Sequence, residues 1–418
     1  MDADLLFLAR IIDNESQRLK SAAAKERSGR GHTLIALLEE TCARIASEAG
    51  QIAAQLPLSN SAFGPSLERE LFRLRYELQF VHELLARYGG DSGRRDLPVG
   101  IAHLVDELVR DFLPRRADPI IHLTSENMYS TLAIVDTTPQ LWREPLPPEP
   151  HPVAFNLPAL DPSNVMFSPI LAHEVGHTAW RKGLEKELNR RADLGTASTH
   201  LRTAASATGI DAQRLVEFFD SWRQELLCDA LAAVLTGPSF LFASAVFLPA
   251  TASTTSIGAH PYPRDRIAYC LRILDRRGWT PFMKEQIPNI YEWCRSLGNS
   301  VALSGGPIET GLRAAIGATE PAITEVALDK TSNGIDVLAF SAKLPEFREW
   351  FSNEVPPVKL STSVPTPWEI VAAAWICELN RLGDTAEALV MTSSNVYLNR
   401  FLLKSIELAG IHQLWSET

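Results

Sequence analysis

From Ala230 to Ala259 the chain runs without one charged residue, and "LAAVLTGPSFLFASAVFLPA" within it is almost entirely apolar. Such a segment has to leave water, either into a bilayer or into a protein core. A bilayer-spanning helix needs roughly 20 uninterrupted apolar residues. Gly237-Pro238 breaks the run after its first turns, Pro238 opens a new helix well, and Pro249 is expected to end it. The remaining piece, about ten residues, is too short to cross hydrocarbon. It reads as a buried core helix, and a chain of 418 residues can build the core it needs, in two or three domains or one large body with helical additions.

Charge and cysteine usage narrow the function class. Forty Lys plus Arg face fifty Asp plus Glu, a net charge of −10 with no dense basic run, which argues against nucleic acid or anionic lipid as a partner. The five cysteines are scattered and contain no CxxC pair, a usage that suits a reducing compartment. The N-terminus "MDADLLFLARIIDNESQRLK" shows no basic region followed by an apolar stretch and cleavage site, so the expected location is cytoplasmic. Nothing in the pattern specifies an oligomeric state.

Three regions follow from the apolar spacing. Residues 1–115 read as a helical N-terminal region, clearest where Leu71, Leu74, Leu78, Val81 and Leu85 form one stripe before Gly89-Gly90. Residues 116–280 hold the extended candidates, "PIIHLTSENMYSTLAIVDTT" and "VAFNLPAL", with the proline-dense loop "TPQLWREPLPPEPHP" between them. Residues 281–418 return to helix, with a loop at "DKTSNGID" and a capping box from Thr366 to Glu369. The expected class is α+β, mainly α, with a small sheet and flanking helical regions.

Within the middle region stands "LAHEVGHTAW", two of the chain's ten histidines four apart with a glutamate after the first. Ser168-Pro169 supplies an N-cap and a proline at the first helical position, which places the motif on a helix. His173 and His177 then share a face and can reach one metal ion, while Glu174 points to the flank where a metal-bound water would sit. This is the HExxH arrangement of zinc hydrolases. A catalytic zinc takes three protein ligands and keeps one open position, so the motif requires another ligand downstream.

"DAQRLVEFFDSWRQELLCDALAAVLTG" offers it, as a long helix capped by Asp211 and ended by Gly237. Glu225 and Asp229 fall beside or within its apolar stripe, where carboxylates are costly unless a cation or strong hydrogen bonds compensate. Zinc compensates. Glu225 reads as the third ligand and Asp229 as the acceptor that fixes the tautomer of a ligand histidine. Cys228 reads as a small core residue, and His122, His151 and His200 as unrelated loop or surface residues.

HEVGH, then "ELLCDALA", then "HPYPRDRI" resembles the gluzincin metallopeptidases, nearest to the group of CAAX prenyl proteases and heat-shock membrane proteases. That group carries HExxH, a glutamate with an aspartate four residues on, and His-Pro-Pro-x-x-x-Arg; Tyr262 stands where its second proline would be. The resemblance covers about residues 165–270 and implies a zincin-like core in a chain that, unlike the group's best-known members, carries no convincing membrane span. It implies His173, His177 and Glu225 as Zn2+ ligands, Glu174 as general base, and His260 and Arg266 near the substrate carbonyl. A looser resemblance is to the ImmA/IrrE-type regulatory proteases that cut repressors.

The reading is a zinc metallopeptidase acting on a protein or peptide substrate, with "VAFNLPAL" as the candidate edge strand for backbone pairing with substrate. Two other classes stay open: a non-catalytic interaction protein braced by zinc, and an interaction protein whose HEVGH is accidental.

Overall fold

The apolar stripes of the sequence become helices almost throughout. A computed structural model describes residues 2–25, 32–55, 64–88, 98–113, 117–124, 129–137, 150–158, 164–251, 260–299, 306–331, 333–357, 360 and 363–416. In chain order the first elements are α1 (Asp2–Lys25), α2 (His32–Gln55), α3 (Gly64–Tyr88), α4 (Val99–Phe112), β1 (Ala117–Thr124), β2 (Ser130–Ala133), the one-turn α5 (Ile134–Thr137) and β3 (His151–Pro158). Next come α6 (Ser168–Ala179), α7 (Glu185–Arg191), α8 (Leu194–Thr208), α9 (Ala212–Thr236), α10 (Pro238–Thr251), α11 (Pro263–Arg276) and α12 (Trp279–Gln286). The chain ends with α13 (Pro288–Asn299), α14 (Pro307–Lys330), α15 (Val337–Ser352), α16 (Pro367–Arg381), α17 (Ala386–Ser393) and α18 (Val396–Ser416). The class is mainly α with one small sheet. Gly89-Gly90 and most of the proline-dense stretch, residues 138–149, lie outside the described residues.

The chain forms two compact units, residues 1–97 with 114–159, and residues 98–113 with 160–418. This division differs from the three regions read along the sequence, because the sheet groups with the N-terminal helices and the HEVGH helix with the C-terminal ones. In the first unit, Leu71, Leu74, Leu78 and Val81 of α3 do line the core, meeting Leu5, Ile12 and Leu19 of α1 and Leu34, Leu38 and Ile45 of α2. Arg44, Glu48, Arg73 and Glu77 tie α2 to α3 at the edge of that core, with Arg44 Nη2 2.7 Å from Glu77 and Arg73 Nη2 2.8 Å from Glu48.

The sheet has the order β1-β3-β2, with β1 parallel and β2 antiparallel to β3. "VAFNLPAL" was expected to be an edge strand and is instead the middle one. From Val153 to Asn156 its backbone is paired on both sides, so that stretch has no free ladder to offer a substrate. His122, Asn156 and Ser130 stand in register across the three strands and are joined by bonds of 3.1 and 3.0 Å. His122 is therefore a strand residue, as is the buried His151, and His200 lies within α8; none of the three is in a loop.

In the second unit the charge-free run is core from Ala230 to Ala245, as its composition required, while residues 252–259 lie outside the described residues. Every residue of α9 from Glu225 to Thr236 is buried, and Phe240, Leu241, Phe242 and Ala243 continue that core in α10. Gly237 joins the two helices at φ +61°, and a Cβ there would lie 2.9 Å from the Trp279 ring, so both conformation and space call for glycine. The second helix runs to Thr251, past Pro249 where it was expected to stop. No described helix is long and apolar enough to cross a membrane.

Candidate metal centre

α6 and α9 pack side by side, and Gly176 sets how closely. A Cβ on Gly176 would stand 2.9 Å from Cys228 Sγ and 3.0 Å from both its Cα and Cβ. Cys228 is a small core residue, as read, and it faces the α6 backbone. This contact brings the carboxylate of α9 to the imidazoles of α6. Ser168 does not cap α6: a short 3-10 turn from Val165 to Phe167 precedes it, Ser168 is already helical, and its buried hydroxyl finds no partner among the described residues.

His173 Nε2 and His177 Nε2 are 3.1 Å apart, and Glu225 spans them with Oε2 3.4 Å from the first and Oε1 3.4 Å from the second. With one atom taken from each side chain, the three ligand atoms all lie within 4.8 Å of one another, close enough to hold one small cation. Among the described residues this is the one group of three or more such side chains close enough to hold a metal ion.

A second set of residues holds the first in place. Asp229 Oδ1 lies 2.8 Å from His173 Nδ1, the contact that turns the other ring nitrogen toward the cluster. Arg266 binds Asp229 through Nε at 2.8 Å and Nη2 at 2.6 Å, and its Nη1 is 3.2 Å from Glu225 Oε2. Arg266 is buried against both carboxylates and holds them in place. His260 Nδ1 sits 3.1 Å from Glu225 Oε1 while most of its ring is exposed, at 71% of its side-chain surface. It is the member of the set open to an incoming molecule.

Two members were not singled out in the sequence. The Gln224 amide is 3.0 Å from His177 Nδ1 and plays toward that ring the part Asp229 plays toward His173. With Nε2 committed to a metal, Nδ1–H needs an acceptor, which Gln224 supplies through Oε1 after rotation of its amide. Phe240 stacks on His173, centroids 6.1 Å apart and planes 9° from parallel. Gln224 adjoins Glu225 in sequence, a signal that was available; Phe240 is distant in sequence and carried none.

The charges are unbalanced in a telling direction. Glu174, Glu225 and Asp229 face a single guanidinium, an excess of two negative charges that a divalent cation cancels. Without an ion, protons do part of that work. Burial alone would lower the His173 pKa, but hydrogen bonds to Asp229 and Glu225 outweigh it and raise it to about 9. Burial raises the Glu174 pKa to about 6, helped by the Glu225 charge. His177, lowered to about 4 by burial and by the charged His173 beside it, stays neutral, with one ring nitrogen a donor and the other an acceptor. For Asp229 and Glu225 burial works upward but is overcome, by Arg266 first for Asp229 and by the His173 and His260 hydrogen bonds for Glu225, so both are lowered.

Compared with known proteins, the chain matches no family model, no curated protein and no solved structure.

Proposed function

We propose that the chain is a zinc-dependent metallopeptidase. The observation that carries this is the convergence of His173 Nε2, His177 Nε2 and the Glu225 carboxylate at 3.1–3.4 Å, with Glu174 on the same helix and within reach of their charges. The gluzincin-like order of HEVGH, ELLCD and HPYPRDR supports it.

His173, His177 and Glu225 would hold the ion, which when bound supplies a Lewis acid for the carbonyl and lowers the pKa of water. The rest is done by the chain's own groups. Glu174, with a pKa near 6, takes a proton from the attacking water as its oxygen bonds to the carbonyl carbon. It then delivers that proton to the amine nitrogen as the C–N bond breaks. His260, raised in pKa chiefly by its hydrogen bond to Glu225 and exposed at the mouth, donates to the oxyanion that develops on the carbonyl. Asp229 and Gln224 fix the ring orientations, and Arg266 holds both carboxylates in register.

One observation favours a second reading. Arg266 already neutralises part of the Asp229 and Glu225 charge, so the cluster can be an ion-pair network that needs no metal. Metal analysis separates the two, with about one zinc per chain expected and a metal-free fold unable to take zinc refuting the proposal. Glu174→Gln then tests catalysis: zinc content and thermal stability should stay near wild type while peptide hydrolysis falls by on the order of 10² or more. Hydrolysis retained in this variant refutes the assigned roles.

A further inference from the structure

A cavity of about 600 Å³ opens where α15, α16 and α18 meet, within the second unit and among residues that take no part in the metal centre. That volume lies in the ordinary range of small-molecule sites. Phe351 and Phe401 line it edge to face, with centroids 5.7 Å apart, and Tyr397 adds a third ring. One apolar or aromatic group suits such a wall.

The charges around it select the rest of the occupant. Arg381 and Glu378 line the cavity as a closed pair, bonded at 2.7 and 2.6 Å. Arg348 and Glu354 differ, because each has only neutral partners: Arg348 reaches the Gln286 amide oxygen and the Cys377 sulfur, and Glu354 accepts from the Tyr397 hydroxyl at 3.0 Å. Burial pushes the Cys377 thiol up to about 12, so it carries no charge to offset Arg348. The cavity therefore holds one exposed cation and one exposed carboxylate, neither with an ion-pair partner among the described residues. An anion would face Glu354, a cation would face Arg348, and a wholly apolar ligand would strip water from both. A zwitterion answers the two together.

Glu354 is moreover an unfavourable residue for its own position. It follows α15 in a Schellman motif, with Val355 N–H donating to Trp350 at 2.8 Å and its own N–H to Phe351 at 3.2 Å, and its φ of +54° is one that glycine adopts freely. A carboxylate there also opposes the negative end of the helix. Asp384, the other described non-glycine residue at positive φ, has a structural reason: its carboxylate takes the Asn289 and Ile290 N–H groups at 2.7 and 3.1 Å and so caps α13. The Glu354 carboxylate caps no described helix and is turned to Tyr397 at the cavity wall. Backbone strain of this kind clusters at ligand clamps.

We propose that this cavity binds a small zwitterion with an apolar side chain, a free amino acid or a dipeptide, whose carboxylate pairs with Arg348, whose ammonium pairs with Glu354 and whose side chain packs on Phe351 and Phe401. The inference does not rest on the metallopeptidase reading. Its test is calorimetric titration of the full chain in the presence of a chelator, which removes any metal that would itself hold or cleave the probes. The probes are L-phenylalanine and glycyl-L-phenylalanine, each also as its N-acetyl derivative, which lacks the ammonium, and as its amide, which lacks the carboxylate. At least one zwitterion should bind saturably, and the tighter of the two identifies the source. Its acetyl and amide forms should bind about 10–100-fold more weakly, the worth of one charge-assisted hydrogen bond. Arg348→Gln should weaken the zwitterion by that factor and leave the amide unchanged. Glu354→Gly, which also relieves the backbone, should weaken the zwitterion likewise and leave the acetyl form unchanged. No saturable binding of either zwitterion, derivatives that bind as tightly, or a zwitterion affinity unmoved by either variant overturns the proposal.

Discussion

Gly176→Ala tests whether the spacing of two helices sets the metal centre. The new methyl would stand 2.9–3.0 Å from three atoms of Cys228, and two of them, Cα and Cβ, belong to the rigid body of a buried helix. Ordinary contact begins at 3.4 Å, so α6 and α9 must separate by about 0.5–1 Å. For stability the effects oppose one another: overpacking costs about 1–3 kcal/mol and replacing glycine in a helix returns about 1 kcal/mol. For metal binding they do not, because coordination distances tolerate only about ±0.2 Å.

The expected loss is therefore of affinity, at least the 10–100-fold typical of disturbing a ligand's support. At a zinc concentration 100 times the wild-type Kd, metal stabilises the wild type by about 2.7 kcal/mol; in Gly176→Ala this should shrink to about 0.4–1.4 kcal/mol. Chemical denaturation with zinc and with a chelator measures both quantities. Gly50→Ala, at an exposed helical glycine whose Cβ meets nothing within 4 Å, is the propensity control. Adding Cys228→Gly removes two of the three clashing atoms and should restore part of the affinity. A folded Gly176→Ala protein that binds zinc as tightly as wild type would refute the argument.

Three further outcomes are expected. Asp229→Asn leaves the Arg266 charge buried without its two-point partner and weakens the hold on His173, so stability should fall by about 3–5 kcal/mol and zinc affinity by about 10–100-fold; unchanged melting would contradict the network. At saturating zinc His260→Ala should lower kcat by on the order of 10² with KM little changed, and full activity in His260→Asn would instead mark His260-Pro261 as a helix lead-in. Because His173 is raised to about 9 and must be neutral to bind metal, zinc affinity should climb about tenfold per pH unit from pH 6.5 to 8.5. Over that window the metal-free protein loses the stability its charged His173 provides, whose full share is present only below the ordinary histidine value; an affinity flat across it would refute the assignment.

Much of the fold was legible because local signals agreed with burial. Asp211 caps α9 by accepting from Gln213, and Thr366 and Glu369 close the expected capping box. The misreadings came where tertiary context decides. "VAFNLPAL" looks the same as an edge or a middle strand, since alternation reports faces and not neighbours. Its partners β1 and β2 come from one continuous extended candidate, "PIIHLTSENMYSTLAIVDTT", yet β3 lies between them. Pro249 was expected to stop α10 on its own account, but α10 continues to Thr251.

The candidate site was legible for a different reason: its residues violate the pattern around them. Glu225 and Asp229 interrupt an otherwise apolar face, and both are buried. A buried carboxylate demands a compensating charge, and that demand led from HEVGH to the second helix before any geometry was known. It did not reveal who else answers. Arg266 came only from the resemblance, as a group near the substrate carbonyl that orients a carboxylate or a backbone carbonyl, and its guanidinium lies on the carboxylates of Asp229 and Glu225. Gln224 and Gly176 answer no charge at all; one turns a ring and the other sets a distance. Contributions of that kind leave no mark on a hydropathy pattern, and they appear only when the two helices are seen to touch.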